Sequence, residues 1–263
     1  MEPVTDALLD RMVRAIVDEV DPEQVILFGS RGRGEERENS DVDLIVVEAE
    51  PFGPERSRHR ELVRLYHAVA GFRVPADFLV FSHDDVDYWR DSLNHVLARA
   101  LREGKVLYEP TMVANHSAVA QGVDGKLHTS DVKCARMLLD AATRHVDTLR
   151  VLYRSDEIPD EVFGFHVQQA AEKLLKGWIA LLGEVYPLTH SVEELLNLLA
   201  SRDSAVEPFR DLVDYTPYAV EFRYMGVAPD AEPIDREGAF ALAQALHERF
   251  GRRLAVLEGE EAQ

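Results

Sequence analysis

The segment from Val25 to Val47, VILFGSRGRGEERENSDVDLIVV, constrains this chain more than any other. Two short apolar runs, Val25–Phe28 and Leu44–Val47, are bounded by turn residues, which is the pattern of buried strands. Between them lie a Gly29-Ser30 turn, an arginine- and glycine-rich stretch, and Ser40-Asp41-Val42-Asp43. A Gly-Ser turn leaving a buried strand lets backbone N–H groups approach a phosphate closely. Asp41 and Asp43, two apart on an extended chain, send their side chains the same way.

Two carboxylates placed so repel each other unless a cation sits between them. Hard divalent ions with oxygen ligands, Mg²⁺ above all, suit such a pair. A phosphate cradle beside paired carboxylates is the equipment of metal-assisted phosphoryl or nucleotidyl transfer. Arg31, Arg33 and Arg37 concentrate positive charge here, among Glu35, Glu36 and Glu38. Arg31, nearest the turn, is the one read as a phosphate contact.

Gly29-Ser30-Arg31-Gly32-Arg33-Gly34, a gap, then Ser40-Asp41-Val42-Asp43-Leu44 resembles the signature of the DNA-polymerase-β-type nucleotidyltransferases, their minimal branch most of all. That family commonly has Ala where this chain has Gly32, a departure expected to leave the turn intact. The resemblance implies that Gly29, Ser30 and Ser40 hold the phosphates of a nucleoside triphosphate, ATP foremost. It implies that Asp41 and Asp43 hold one or two Mg²⁺ ions, with a third carboxylate from a neighbouring strand. Val74–Phe81 reads as that strand, with Asp77 early in it. A carboxylate in such a run is costly to bury without a partner. Asp77 is therefore assigned as third metal ligand and as the general base for the acceptor hydroxyl.

The surrounding pattern is α/β. Helical stripes are expected over Thr5–Val20, with Thr5 as N-cap, and over Arg56–Ala70, with Leu62, Val63, Leu65, Tyr66 and Val69 available for burial. Arg31–Asn39 reads as a short helix plus loop. Ser82 and Asp85 have the spacing of a capping box before a helical stretch to Arg102 that breaks near Asp91-Ser92, and Val106–Tyr108 is a last strand. This makes a mixed-sheet domain over 1–110. Residues 111–128, polar and glycine-containing, read as a linker with His116 and His128 exposed.

Residues 129–263 read as an all-α bundle. Glu161–Leu182 carries one apolar face, while His166, Gln169, Lys173 and Lys176 share a stripe opposite it. Phe165-His166-Val167-Gln168-Gln169-Ala170-Ala171-Glu172-Lys173-Leu174-Leu175-Lys176 resembles the core helix of the HEPN family, named for nucleotide binding in higher eukaryotes and prokaryotes. Thr189-His190 and Arg223-Tyr224 match further features of that family. The resemblance implies a helical bundle, nucleotide or acceptor contacts from His166, Gln169, Lys173 and Lys176, a role for Tyr215, Arg223 and Tyr224, and a homodimer formed through the bundle. Ribonuclease members carry an Arg followed by four to six residues and then a His inside the bundle. None occurs there, and Arg90–His95, which has the spacing, lies in the first domain. RNA cleavage is therefore not expected.

Charge and cysteine narrow the partners. The net charge of −19 disfavours a nucleic-acid polymer and favours a polycationic acceptor, an aminoglycoside-like alcohol; a protein hydroxyl is the other acceptor weighed. A nucleotide-binding or interaction module with little turnover, or a toxin–antitoxin-related fusion, is the alternative. The single cysteine, Cys134, excludes an internal disulfide and reads as a small buried hydrophobe. No membrane-length apolar run and no leader pattern is visible, so the expected location is the cytoplasm.

Overall fold

The computed structural model describes residues 4–36, 40–72, 74–110, 129–155, 157–219 and 233–261. The chain forms two compact units, Met1–Val123 and Asp124–Gln263. The expected linker 111–128, with His116 and His128, lies outside the described residues, as do Arg37 and the Arg223-Tyr224 pair.

The first unit is a four-stranded mixed sheet with helices on both faces. Its elements are α1 (Asp6–Val20), β1 (Gln24–Phe28), a single turn α2 (Gly29–Gly32), β2 (Val42–Glu48), α3 (Arg58–Val69), β3 (Ala76–Ser82), α4 (His83–Trp89), α5 (Val96–Glu103) and β4 (Lys105–Tyr108). Thr5 caps α1 by accepting from the Leu8 amide at 3.3 Å. Asp21 ends that helix in the left-handed region, φ 46°, ahead of Pro22. The strand order is β3-β2-β1-β4. β1 runs antiparallel to β2 and β4, whereas β2 and β3 are parallel and so need the α3 crossover.

Strand alternation sorts the two faces. Val25, Leu27, Val42, Leu44, Val46, Phe78 and Val80 pack under α1 and α3. Ile26, Ile45, Val47 and Phe81 pack on the other face with Val86 of α4 and Leu97 of α5. Asp43 and Asp77 share the odd-numbered register of Ile45, Val47 and Phe81, so both lie on this second face.

Two expectations change in this unit, and a third, the break near Ser92, holds. Val63 and Tyr66 of α3 are 40% and 45% exposed; Glu61 is buried instead, tied to Arg64 at 2.8 Å. The helical turn lies over Gly29–Gly32, earlier than the short helix expected after Arg31, and 33–36 are non-helical. The break near Ser92 becomes a buried loop: Arg102 donates to the carbonyls of Ser92 and Leu93 at 2.8 and 2.6 Å, and His95 stacks on Trp89 with ring centroids 4.0 Å apart. His95 is thus a core side chain, not half of a cleavage pair. The capping box of Ser82 and Asp85 forms as the spacing indicates.

The second unit is all helical: α6 (Thr129–Leu152), α7 (Asp160–Leu181), α8 (Val192–Ala200), a run of 3-10 turns over Ser204–Ala219, and α9 (Arg236–Glu261). Its core gathers Leu139, Ala142 and Leu149 of α6, Phe163, Leu174 and Trp178 of α7, Leu195 and Leu199 of α8, and Leu246 and Phe250 of α9. Pro208 and Pro217, which lack an N–H, lie inside the 3-10 run and are incompatible with a regular α-helix there. Cys134 is fully buried on α6 as expected. Among the described residues no helix is long and apolar enough to cross a membrane.

Candidate active site

The site in the first unit is built where β1 ends. Gly29 leaves the strand at φ +66°, a backbone state open chiefly to glycine. A Cβ at Gly29 would also run into the Asp43 carboxylate, so the turn and the carboxylate are packed against each other. A Cβ at Gly32 would lie 2.6 Å from the Leu27 carbonyl. The Ala common at this position in the resembling family therefore does not fit here without movement, while Gly32 leaves the turn intact.

Asp43 pairs in register with Phe28 on one side and Asp77 on the other. Its carboxyl is half-buried and its pKa is raised, first by burial and then by the charges of Asp77 and Asp41. Arg31 and Arg33 oppose that rise in part. Asp41 is exposed and sits one residue before β2, not on it; Asp77 is exposed on β3. The three carboxylates thus bear on one another through Asp43. Among the described residues no three His, Cys, Asp or Glu side chains are set to hold a metal ion as they stand.

Arg31 has a task the sequence did not reveal. Its Nε donates to the Ser40 and Asp41 carbonyls at 3.0 and 3.2 Å, and its NH2 donates to Ser40 at 2.7 Å. It staples the Gly29-Ser30 turn to the residues entering β2, so one guanidinium spans both halves of the motif. Ser40 contributes its backbone carbonyl to this staple. Arg33 pairs with Glu35 at 2.8 Å.

The stripe on α7 divides in two. Lys176 is committed to the buried Glu172 at 2.6 Å, and Glu172 also takes hydrogen bonds from Gln168 at 2.8 Å and from His190 at 3.0 Å. Despite burial, those partners keep the Glu172 pKa below its ordinary value. His166 meets a residue the sequence analysis passed over, His145 of α6, with the two Nδ1 atoms 2.9 Å apart. Gln169 binds the Lys173 ammonium and donates to Gln168 at 2.7 Å. The only sequence signal for the first group was Glu172 and Lys176 at helical i, i+4 spacing. Nothing in the periodicity of α6 marks His145. Tyr215 is half-buried beside Tyr218, and its phenol is pushed up to about 12, chiefly by burial.

Two family models match the chain. Residues 12–111 match "Polymerase beta, Nucleotidyltransferase", and residues 135–253 match the HEPN domain. No curated protein matches. Among solved structures, a protein of Sulfolobus solfataricus named as a nucleotidyltransferase is similar at 21% identity and TM-score 0.28, over 40% of this chain and 79% of that one. A spectinomycin adenyltransferase of Enterococcus faecialis, solved with ATP and spectinomycin, is similar at 14% identity and TM-score 0.48, over 93% of this chain and 97% of that one. The Gly29-Ser30 turn, the facing Asp43 and Asp77, and the matched residue ranges lead to one statement: this chain joins a polymerase-β-type nucleotidyltransferase domain to a HEPN domain, and it is a nucleotidyltransferase.

Proposed function

We propose that the enzyme moves a nucleoside monophosphate, AMP foremost, from its triphosphate to a hydroxyl of a small polycationic molecule of the aminoglycoside kind. One observation carries the reading: Asp43 lies beside the Gly29 turn with Asp77 directly opposite it in register. A phosphate cradle and two carboxylates are thereby fixed on one sheet face.

The donor set fits Mg²⁺. Asp41, Asp43 and Asp77 are hard oxygen donors; burial first and then the charges of Asp77 and Asp41 raise the Asp43 pKa, and a divalent cation would offset that repulsion. Bound there, Mg²⁺ supplies charge stabilisation at the α-phosphoryl group. The chain's own residues do the rest. Backbone N–H groups at the Gly29-Ser30 turn orient the phosphates. Arg31 fixes the Ser40-Asp41 backbone, and Asp77, exposed at its strand, receives the proton of the acceptor hydroxyl. The excess of 48 acidic over 29 basic residues draws a polycationic acceptor inward. The HEPN domain binds nucleotide or acceptor and forms the contact of a homodimer.

The test is transfer of label from α-³²P-labelled ATP, GTP, CTP and UTP, with Mg²⁺, onto a panel of aminoglycosides, with Asp43→Asn as control. Label on an aminoglycoside, absent with the variant, is the expected result. Labelled protein in place of labelled drug transfers the assignment to a protein acceptor. No label on either and no pyrophosphate release defeats the proposal.

A further inference from the structure

We infer that Arg144 and His145 of α6, with His166, Gln169 and Lys173 of α7, form a binding site for a phosphate-class oxyanion, and that Lys176 lies outside it. The proposal deepens the reading that the HEPN domain binds nucleotide or acceptor, and its test is kept separate from that reading.

The argument begins with how this protein treats its cations. Across the described residues most cations meet a carboxylate: Lys176 meets Glu172 at 2.6 Å, Arg236 meets Asp160 at 2.6 Å, Arg253 meets Asp203 at 2.7 Å and Arg210 meets Glu207 at 3.0 Å. Arg144 and Lys173 are among those that do not, and they lie beside the same pair of imidazoles. Arg144 donates to the Asp140 backbone carbonyl at 3.2 Å, and Lys173 donates to the Gln169 side-chain oxygen. Neither has an ion pair among the described residues. Glu172 bears on Lys173 through its charge, but its oxygens are already engaged by Lys176, His190 and Gln168. In a chain with 48 acidic side chains, a lysine and an arginine beside two imidazoles with no acid bonded to them form an electropositive enclave.

The imidazoles complete it. With Nδ1 atoms 2.9 Å apart, one ring donates and the other, necessarily neutral, accepts, and burial disfavours charge on the donor as well. The accepting ring then carries its proton on Nε2 as a donor. Burial first, and then Lys173, His166 and Arg144, push His145 down to about 4; burial lowers His166 and Lys173 too. Each shift costs the cluster positive charge that an anion would restore. A cation is a poor occupant, because Lys173 and Arg144 repel it and no third metal-ligating side chain joins the two rings among the described residues. A guanidinium, an ammonium and the one imidazole N–H left free suit phosphate oxygens.

The experiment titrates pyrophosphate, with inorganic phosphate and ATP as further arms, into the full chain carrying Asp41→Asn and Asp43→Asn, in EDTA. The ring resonances of His145 and His166 are followed by ¹H–¹⁵N NMR. The double substitution silences the nucleotidyl-transfer site, so failure of that reading leaves this result untouched. The expected outcome is saturable movement of both rings, with Lys173→Gln and Arg144→Gln each weakening binding about tenfold, the loss of one charge-assisted contact. ATP binding no tighter than pyrophosphate makes the phosphate chain the whole ligand; tighter binding adds the nucleoside. Rings that stay put, or that move equally with chloride at matched ionic strength, or binding undiminished in both single variants, overturn the proposal.

Discussion

The two polar clusters of this protein are opposites pushed toward the same end. At the mouth of β2, burial and two like charges raise the Asp43 pKa. Between α6 and α7, burial and neighbouring cations lower those of His145, His166 and Lys173. One site is short of positive charge and the other of negative charge. Contrast both with Glu172, more deeply buried but supplied with Lys176, Gln168 and His190, where the carboxylate stays ionised. Burial with partners in place gives a settled scaffold. Burial without them gives a site that gains from a ligand.

The sharpest way to break this comparison is at Asp43. Asp43→Asn is expected to lower nucleotidyl transfer by about a thousandfold or more, since metal-borne charge stabilisation is worth several kcal/mol. The same change relieves like-charge crowding, so its thermal midpoint, read by calorimetry, stays level or rises. A lowered midpoint would mean the carboxylate holds the fold and not only the chemistry.

Gly29→Ala comes next. It places a methyl group both at φ +66° and against the Asp43 carboxylate. Activity is expected to fall about a hundredfold, with a stability loss of about 1–3 kcal/mol in urea. Gly32→Ala, pressed on the Leu27 carbonyl, is expected to cost less than Gly29→Ala in both assays.

Acid separates the clusters by sign. The folded pKa of His145 is about 4 against 6.5 unfolded, and the buried His95 in the other unit behaves alike. Above pH 6.5 neither state binds the proton and these groups contribute nothing. Between 6.5 and 4 only the unfolded chain binds it, so stability falls with pH. Asp43 runs the other way: its repulsion is relieved as pH drops into its raised range. Urea midpoints are expected to decline from pH 7 to 5, by about 1 kcal/mol for each buried histidine after allowance for solvent. His145→Asn should flatten the decline in the second unit alone. A rise over that window would reverse the argument.

The smallest effect is electrostatic. Lys173→Met removes a charge that depresses His145, so the ring should titrate a few tenths of a unit higher by NMR. No movement would place Lys173 too far away to share a ligand with it.

Much of this was legible in the sequence, for physical reasons. Val25–Phe28 and Leu44–Val47 announce strands because a sheet buried on both faces needs continuous apolar residues. Asp77 could be placed because a carboxylate opening an apolar run requires an explanation. The partners of long side chains were not legible. Arg31 reads as a free phosphate ligand until the fold brings the Ser40 carbonyl to it. His145 lies far from His166 in sequence, and only antiparallel packing of α6 on α7 joins them. Val63 and Tyr66 have helical spacing for burial, yet α3 covers one side of the sheet with a narrower stripe and leaves them out.

The place of β3 carries a last consequence. It is one of the two edge strands, bonded to β2 alone, and it bears Asp77. An edge strand has one row of amides without a ladder partner, so it frays before the strands inside it. The third carboxylate therefore rides on an edge strand while Asp43 rides on a central one. Amides of β3 should exchange with deuterium sooner than those of β2, and a ligand that draws Asp77 and Asp43 together should slow them, so hydrogen exchange along one edge reports occupancy of the site without any turnover.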